Sequence, residues 1–221
     1  MVIVPSSVLT YKKAGKMFVI GITGGIGTGK STVASLCREA GLAVLDADKI
    51  SHSVTQSDGI AIPEITELFG QEYINNDGSL NRKKMSDLVF ENKKALDALS
   101  FIVHKHTMKQ MGNYLDNLEK SGEKVVVLDV PIPVKEGFLD RCDQVWNITS
   151  DQDIRLNRLE KRGLSRNEAL RRISVQMTPE EYSKIANIDI VNNHDFDQLR
   201  EQVNKILSTE LGSRGLPFNK I

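Results

Sequence analysis

Short runs of apolar residues recur along the chain and predict the strands of one sheet. Residues 18–22 form a β-branched run that leads directly into glycines, and residues 42–45 form a second run that ends in acidic residues. The most continuously apolar run covers residues 124–129. Residues 144–148 and 188–191 predict a fourth strand and a weaker fifth strand.

Segments with apolar residues at helical spacing lie between these runs. Residues 30–40 predict a helix with Gly41 as its C-cap. The strand–helix–strand unit formed in this way implies a parallel sheet with a right-handed crossover. Residues 151–161 and 166–176 predict a helical pair, and residues 196–207 predict a closing amphipathic helix. The expected apolar face of that last helix consists of Phe196, Leu199, Val203, Ile206 and Leu207.

The middle of the chain, residues 49–121, has a helical pattern that one turn signal at 75–78 interrupts. We expect this segment to be a helical insertion that covers one side of the sheet, because a single crossover helix cannot fill so long a connection. We find no repeat and no interdomain linker. The expected organisation is an extension at 1–16, one domain over 17–208 and a tail at 209–221. The parts of that domain are a core (17–48, 122–150 and 186–208), the helical region 49–121 and a lid segment at 151–180.

The charge balance excludes some classes of protein. The 221 residues carry 29 basic and 29 acidic side chains, and this neutrality argues against a dedicated nucleic-acid binder. No apolar run approaches the ~20 residues of a spanning helix, and the N-terminus is too weakly apolar for a secretory signal. We therefore expect a soluble, cytoplasmic protein with no membrane partner. Cys37 and Cys142 fit no metal spacing and are expected to be free thiols.

A phosphate-binding loop is the most specific motif in the sequence. Residues 24–31, G-G-I-G-T-G-K-S, match the pattern G-x-x-x-x-G-K-[ST] between a predicted strand and a predicted helix. Glycines let successive backbone N–H groups point at one anion, and the helix N-terminus adds its positive dipole end. We expect Lys30 to reach the β- and γ-phosphates of ATP and the Ser31 hydroxyl to ligate Mg²⁺.

Acidic residues follow two of the predicted strands. Asp46 and Asp48 come directly after the second strand, and Asp129 ends the third. Ligands of open α/β sheets bind outside the carboxyl ends of the strands. Any of the three carboxylates could therefore contact Mg²⁺ or its waters. The alternative is that one or more of them cap the next helix, Asp48 above all.

A basic cluster follows the fourth strand. Between residues 155 and 172 seven basic side chains stand against two acidic ones, a local excess of five positive charges. A solvated helix face is the simpler interpretation of such a run. Phosphoryl transfer, however, needs cations that neutralise the transferred group, and a helix–glycine–helix hairpin is suited to act as a mobile lid. The basic residues are Arg155, Arg158, Lys161, Arg162, Arg166, Arg171 and Arg172.

Together these landmarks resemble the dephospho-coenzyme A kinase family over about residues 18–207. The resemblance rests on T-G-G-I-G-T-G-K-S-T at 23–32 followed by Asp46-Ala47-Asp48. Further matches are Phe69-Gly70, Asp77-Gly78-Ser79-Leu80 with Arg82, His104, Asp129-Val130-Pro131, 158–162, Arg172 and Gln176-Met177. The family phosphorylates the ribose 3′-hydroxyl of dephospho-CoA with ATP. Its fold, implied here, is a three-layer α/β/α P-loop NTPase core with a five-stranded parallel sheet, a helical substrate-binding insertion and an arginine-rich lid.

The resemblance also implies residue roles. Asp48 becomes the general base for the acceptor hydroxyl, with Lys30, Arg158 and Arg162 as the other catalytic residues. The nucleotide-binding set is Gly25, Ile26, Gly27, Thr28, Gly29, Lys30, Ser31, Thr32, Arg172 and Asn193. The substrate-binding set is Asp48, Arg82, His104 and Asp129, and the Mg²⁺ set is Ser31, Asp46 and Asp129. The expected partners are the small molecules ATP and dephospho-CoA.

The departures from the family pattern lie mainly on the substrate side. His52 stands where the family has Arg, Lys105 where it has Pro, and Lys135 where it has Glu. A Pro-Gly pair near residues 57–58 is also absent, and Ile188 stands where the closing motif has Ala. Two alternatives stay open: another P-loop kinase of small molecules or nucleotides, and a divergent ATP-binding paralogue with a weakened substrate site. A GTPase is disfavoured because no N-K-x-D motif occurs.

Overall fold

The computed structural model describes residues 17–131, 133 and 138–221. Its sheet is parallel throughout, in the order β2-β3-β1-β4-β5. The strands are β1 (Phe18–Thr23), β2 (Ala43–Asp46), β3 (Val125–Asp129), β4 (Gln144–Thr149) and β5 (Ile188–Val191). All the predicted strands are therefore confirmed. β3 lies between β1 and β2, so the first crossover passes over a strand that comes much later in the chain.

The helices lie between the strands along the chain and after the last one, as expected. They are α1 (Lys30–Glu39), α2 (Ala47–Ser53), α3 (Ile62–Phe69), α4 (Arg82–Glu91), α5 (Lys93–Lys120), α6 (Gln152–Lys161), α7 (Arg166–Ser174), α8 (Pro179–Ile185) and α9 (Phe196–Glu210). Short 3₁₀ turns cover Gln71–Tyr73 and Gly212–Arg214. Within the described ranges, none of the helices is both long and apolar enough to cross a lipid bilayer.

The sheet separates two hydrophobic cores, which gives the expected three layers. On one face the helical region packs Ile50, Ile102 and Met111 against Val126 and Leu128. The prediction that residues 49–121 cover one side of the sheet is thus confirmed.

The other face is covered by α1 and α9. Leu36 from α1 and Val203 from α9 pack with Ile20, Val127 and Trp146 of the strands. The Trp146 side chain is fully buried. Burial on both faces explains why the strands read as continuous apolar runs.

Two details differ from the predicted elements. Phe196 is 49% exposed and does not share the buried face of Leu199 and Val203. It occupies the first turn of α9, where the guanidinium of Arg200 lies 5.2 Å from its ring centroid. α8 was not predicted, although Thr178 and Glu181 form a capping box at its start.

The C-terminal segment, predicted only as a tail, packs on the core. Leu211 is fully buried in the α1–α9 layer. The Asn219 N–H donates to the Ala40 carbonyl oxygen at 2.8 Å. The Ile221 N–H donates to the Asn204 side chain at 2.8 Å. The end of the chain therefore covers the C-terminus of α1.

Candidate active site

The phosphate loop lies between β1 and α1, as the motif predicts. Gly24, Gly27 and Gly29 have backbone φ values of 150°, 81° and 96°, which residues other than glycine rarely adopt. A Cβ atom on Gly29 would also collide with the side-chain amide of Asn192. Gly29 is the N-cap of α1, so the loop ends at the positive dipole end of that helix.

Side chains from distant parts of the chain hold the carbonyl groups of this loop. Arg155 Nε donates to the Ile26 carbonyl at 2.9 Å, and Asn192 Nδ2 donates to the Thr28 carbonyl at 2.8 Å. Arg158 Nη1 donates to the same Thr28 carbonyl at 3.3 Å. These side chains bind carbonyl oxygens of the loop. The groups of the loop that are suited to bind an anion are its backbone N–H groups.

A cleft of about 410 Å³ opens over the loop. Side chains of Lys30, Ser31, Asp48, Arg162 and Gln176 line it together with the loop glycines. Lys30 Nζ contacts the Asp129 carboxylate, which is 5% exposed and ends β3. The cleft therefore combines cations, a hydroxyl and carboxylates at the carboxyl edge of the sheet, where ligands of such sheets bind.

The acidic residues cluster beside this cleft. Asp46 and Asp129 are register partners on β2 and β3. Asp46 is the N-cap of α2 and accepts from the Lys49 N–H at 3.1 Å, so Asp46 rather than Asp48 caps this helix. Partial burial of the Asp48 carboxyl, with the Asp46 and Asp129 carboxylates nearby, raises its pKa above the ordinary value of 3.8, and Lys30 opposes this shift.

A second cavity of about 400 Å³ adjoins the first and lies between α2 and α5. Its walls are largely apolar, with Leu99, Val103 and Met108 on the α5 side. His104 also lines it, as the predicted substrate role requires. Asp48 lines both cavities and so stands at the passage between them.

The predicted lid arginines occupy different positions. Arg162, the C-cap of α6, lines the cleft. Arg158 lies under the loop, where burial and the neighbouring Arg162 lower the pKa of its guanidinium. Arg172 pairs with Glu168 at 2.6 Å, one turn away on the outer face of α7. Of the three, the structure brings only Arg162 into the lining of the cleft.

Asn193 and Arg82 also lie outside the lining of both cavities, as do Thr28, Thr32, Asp46 and Asp129. Asn193 Oδ1 accepts from the Asp151 N–H at 2.9 Å and from the Ser150 hydroxyl at 3.1 Å, which ties the end of β5 to the start of α6. Arg82 Nη2 donates to Thr55 Oγ1 at 2.8 Å. Both side chains make contacts that brace loops around the site.

Sequence reasoning missed three residues that shape the loop. In the sequence, Arg155 is one member of a basic cluster and Gln176 is one of the matches to the family. Asn192 was not singled out. Each is polar and follows or belongs to an element that ends near the cleft, but only the fold shows that Arg155 and Asn192 are buried against the loop.

The departures from the family pattern have local partners. The His52 ring nitrogens lie 3.0 and 3.3 Å from the Gln56 amide nitrogen. Lys105 Nζ donates to both carboxylate oxygens of Glu64, at 2.9 and 2.8 Å. Neither side chain lines the cavity between α2 and α5. Lys135 lies outside the described residues.

The cysteines are free, as predicted. Cys37 is buried and Cys142 partly so. Burial raises the pKa of the Cys37 thiol to about 12 and also raises that of Cys142. Both thiols are therefore protonated at neutral pH, which makes them unsuited to nucleophilic chemistry.

Comparison with known proteins agrees with this geometry. The family model for dephospho-CoA kinase matches residues 18–198. A dephospho-CoA kinase of Dehalococcoides mccartyi is 39% identical over 196 residues, which are 88% of this chain and 98% of that protein. One of Carboxydothermus hydrogenoformans is 35% identical over 190 residues, 86% of this chain and 92% of that protein. The crystal structure of TT1252 from Thermus thermophilus superposes with a TM-score of 0.71 at 31% identity, covering 89% of this chain and 99% of that one. The chain belongs to the dephospho-CoA kinase family.

Proposed function

We propose that the chain transfers the γ-phosphoryl group of ATP to the ribose 3′-hydroxyl of dephospho-CoA. The observation that carries this proposal is the position of Asp48, which lines both the phosphate-loop cleft and the cavity between α2 and α5. A group that must take a proton from an acceptor hydroxyl beside the γ-phosphate needs such a place. Family membership supplies the identity of the two substrates.

The nucleotide side is assigned to the phosphate loop. The N-terminus of α1 and backbone N–H groups of residues 24–29 cradle the phosphates. The N–H groups of Ile26 and Thr28 are not among them, because they donate to Gln176 and to the Gly25 carbonyl. Lys30 exchanges the Asp129 carboxylate for the β- and γ-phosphates when ATP binds. Arg162 neutralises charge that develops on the transferred group, and Arg158 supports the loop from beneath.

The acceptor side is assigned to α2 and α5. Asp48 accepts the proton of the ribose hydroxyl, and its raised pKa makes it a stronger base than an ordinary aspartate. His104 lines the same cavity and offers a hydrogen bond to the acceptor. The apolar wall of Leu99, Val103 and Met108 suits the uncharged parts of this substrate.

The oxygen ligands around the cleft fit Mg²⁺. Ser31, Asp46 and Asp129 would hold the ion, because a hydroxyl and one or two carboxylates are the donors that Mg²⁺ takes beside substrate phosphates. When bound, it neutralises phosphate charge and orients the γ-phosphoryl group. The free thiols support the proposal that the protein acts in the cytoplasm, where cysteines stay reduced.

A substrate panel tests the proposal. Purified protein is given ATP and Mg²⁺ with dephospho-CoA, with nucleosides or with nucleoside monophosphates, and ADP release is measured. We expect release to depend on dephospho-CoA and the product to be phosphorylated at the ribose 3′-position by NMR. Preference for a nucleoside or nucleotide would indicate another P-loop kinase. ATP binding with no acceptor-dependent release would indicate a divergent paralogue.

The Asp48→Asn variant tests the base. We expect kcat to fall about 10²- to 10⁴-fold, the usual contribution of a general base, while the Kd for ATP stays near that of the wild type. Equilibrium binding of a non-hydrolysable ATP analogue provides the second measurement. A near-normal kcat in this variant would refute the assignment of Asp48.

A further inference from the structure

Both backbone groups of Ile26, at the centre of the phosphate loop, are held by side chains of the lid segment. The Ile26 N–H donates to Gln176 Oε1 at 2.8 Å. The Ile26 carbonyl accepts from Arg155 Nε at 2.9 Å. Gln176 follows α7, and Arg155 belongs to α6. Two separate elements of the lid thus meet at one residue of the loop.

The two lid side chains also contact each other. Arg155 Nη2 donates to the same Gln176 oxygen at 3.5 Å. Arg155 is 8% exposed, so its guanidinium is fixed by its surroundings. An N–H group requires an acceptor, which means that the carbonyl oxygen of Gln176 faces Ile26. Ile26, Arg155 and Gln176 form a closed set of hydrogen bonds, called here the Ile26 clasp.

We propose that Gln176 is a positioning residue that fixes the phosphate loop through the Ile26 clasp. A loop with several glycines has much conformational freedom, and ties from outside reduce it. Gln176 and Ile26 both line the cleft that Lys30 and Asp48 also line. A shift of Ile26 would therefore displace the part of the loop that lies beside the reacting phosphate. Displacements of about 1 Å at such a point can lower a rate severely. The kinetic part of this proposal rests on the proposed function, and the structural part does not.

The neutrality of the Gln176 side chain is part of the proposal. A glutamate could accept the same N–H and would also pair with Arg155, but its charge would repel an anionic nucleotide in the cleft. Gln176→Glu therefore separates the hydrogen bond from the charge. Gln176→Ala removes both the acceptor and the contact with Arg155. Val175→Ala is the matched control, because the neighbouring Val175 side chain is 84% exposed and does not line the cleft.

Amide hydrogen exchange of the free enzyme, measured by NMR, reports the clasp without any substrate. In Gln176→Ala we expect the Ile26 amide to exchange at least about tenfold faster, as the loss of one hydrogen bond would allow. In Gln176→Glu and Val175→Ala it should exchange as in the wild type. Amides of Val203 and Leu207 in α9 show in the same spectra whether each variant is folded. An unchanged Ile26 amide in a folded Gln176→Ala variant would overturn the clasp.

Steady-state kinetics test the positioning role. We expect Gln176→Ala to lower kcat about tenfold with an unchanged KM for dephospho-CoA, and Gln176→Glu to raise the KM for ATP about tenfold. Faster exchange at Ile26 with a normal kcat would refute the positioning role. If the wild type failed to use dephospho-CoA, the proposed function would fail, whereas the exchange experiment would still decide on the clasp.

Discussion

The two sides of Asp48 are built in different ways. On the nucleotide side, a main-chain loop is tied by buried polar side chains, among them Arg155 and Asn192. On the acceptor side, α2 and α5 enclose a largely apolar cavity whose polar lining groups include His104. The first side is specified by hydrogen bonds with fixed partners, and the second by the packing of helices.

This difference determines how each side tolerates change. A hydrogen bond to a loop carbonyl has one geometry and one donor, so its replacement disturbs the loop directly. An apolar wall is adjustable, because hydrophobic side chains of similar volume can replace one another with modest loss. We therefore expect substitutions on the nucleotide side to act on kcat and those on the acceptor side to act on the KM for dephospho-CoA.

The largest effect within this comparison is expected at Arg162. Its side chain lines the cleft, whereas Arg172 pairs with Glu168 outside it. We predict that Arg162→Ala lowers kcat about a hundredfold, the usual effect of removing one group that stabilises transition-state charge. Arg172→Ala should change kcat less than about threefold, because exposed ion pairs contribute little. Single-turnover kinetics with saturating ATP measure both.

The same pair of variants can contradict the assignment of Arg162 to the cleft and Arg172 to the outside. A large loss in Arg172→Ala would mean that α7 moves until Arg172 enters the cleft, as its assignment from the family resemblance requires. Equal and small losses in both variants would exclude Arg162 and Arg172 from the chemistry.

A smaller effect is expected at Leu99, on the acceptor side. Leu99→Ala removes apolar surface from the cavity wall and should raise the KM for dephospho-CoA about five- to tenfold, with kcat and the KM for ATP unchanged. Leu96→Ala is the matched control, because Leu96 lies one turn earlier on α5, is 44% exposed and does not line the cavity. A fall in kcat without a change in KM would contradict the division between the two sides.

The sequence predicted the nucleotide side more fully than the acceptor side. Residues 24–31 carry a motif whose spacing follows from phosphate geometry, and the apolar runs before and after it identify the strands. Asp48 and Asp129 stand out as candidates in the sequence because ligands of such sheets bind outside the carboxyl ends of the strands. The five-stranded parallel sheet and its helical cover were predicted for the same reasons.

The remaining parts depend on contacts between distant segments. Arg155 and Arg172 look alike within one basic cluster, and only tertiary packing separates a buried loop tie from an exposed ion pair. Asn193 and Arg82 were assigned from the resemblance, yet their contacts here brace loops. Phe196 fits the apolar face of α9 by its spacing. The buried face of α9 begins only at Leu199, however, and Phe196 is exposed.

The smallest expected effect is on the pH profile, and it joins the two sides at Asp48. As the proposed base, Asp48 must be deprotonated to accept a proton, so we expect kcat to fall as the pH decreases through the pKa of Asp48. Because that pKa is raised, the acid limb lies above the pH expected for an ordinary aspartate. The Asp46 carboxylate contributes to the rise as a like charge.

Asp46→Asn should therefore lower the pKa of Asp48 and move the acid limb of kcat to lower pH, whatever it does to the maximum rate. Asp97→Asn on α5 is the control, since Asp97 is exposed and is not among the charges that shift Asp48. Raising the salt concentration should reduce the difference in the pH of the acid limb between Asp46→Asn and the wild type, because salt screens charges that are accessible to solvent. An acid limb that stayed in place, or moved to higher pH, would show that the group titrating in kcat is not coupled to Asp46. The base would then have to be sought elsewhere on the acceptor side, where His104 lines the same cavity as Asp48.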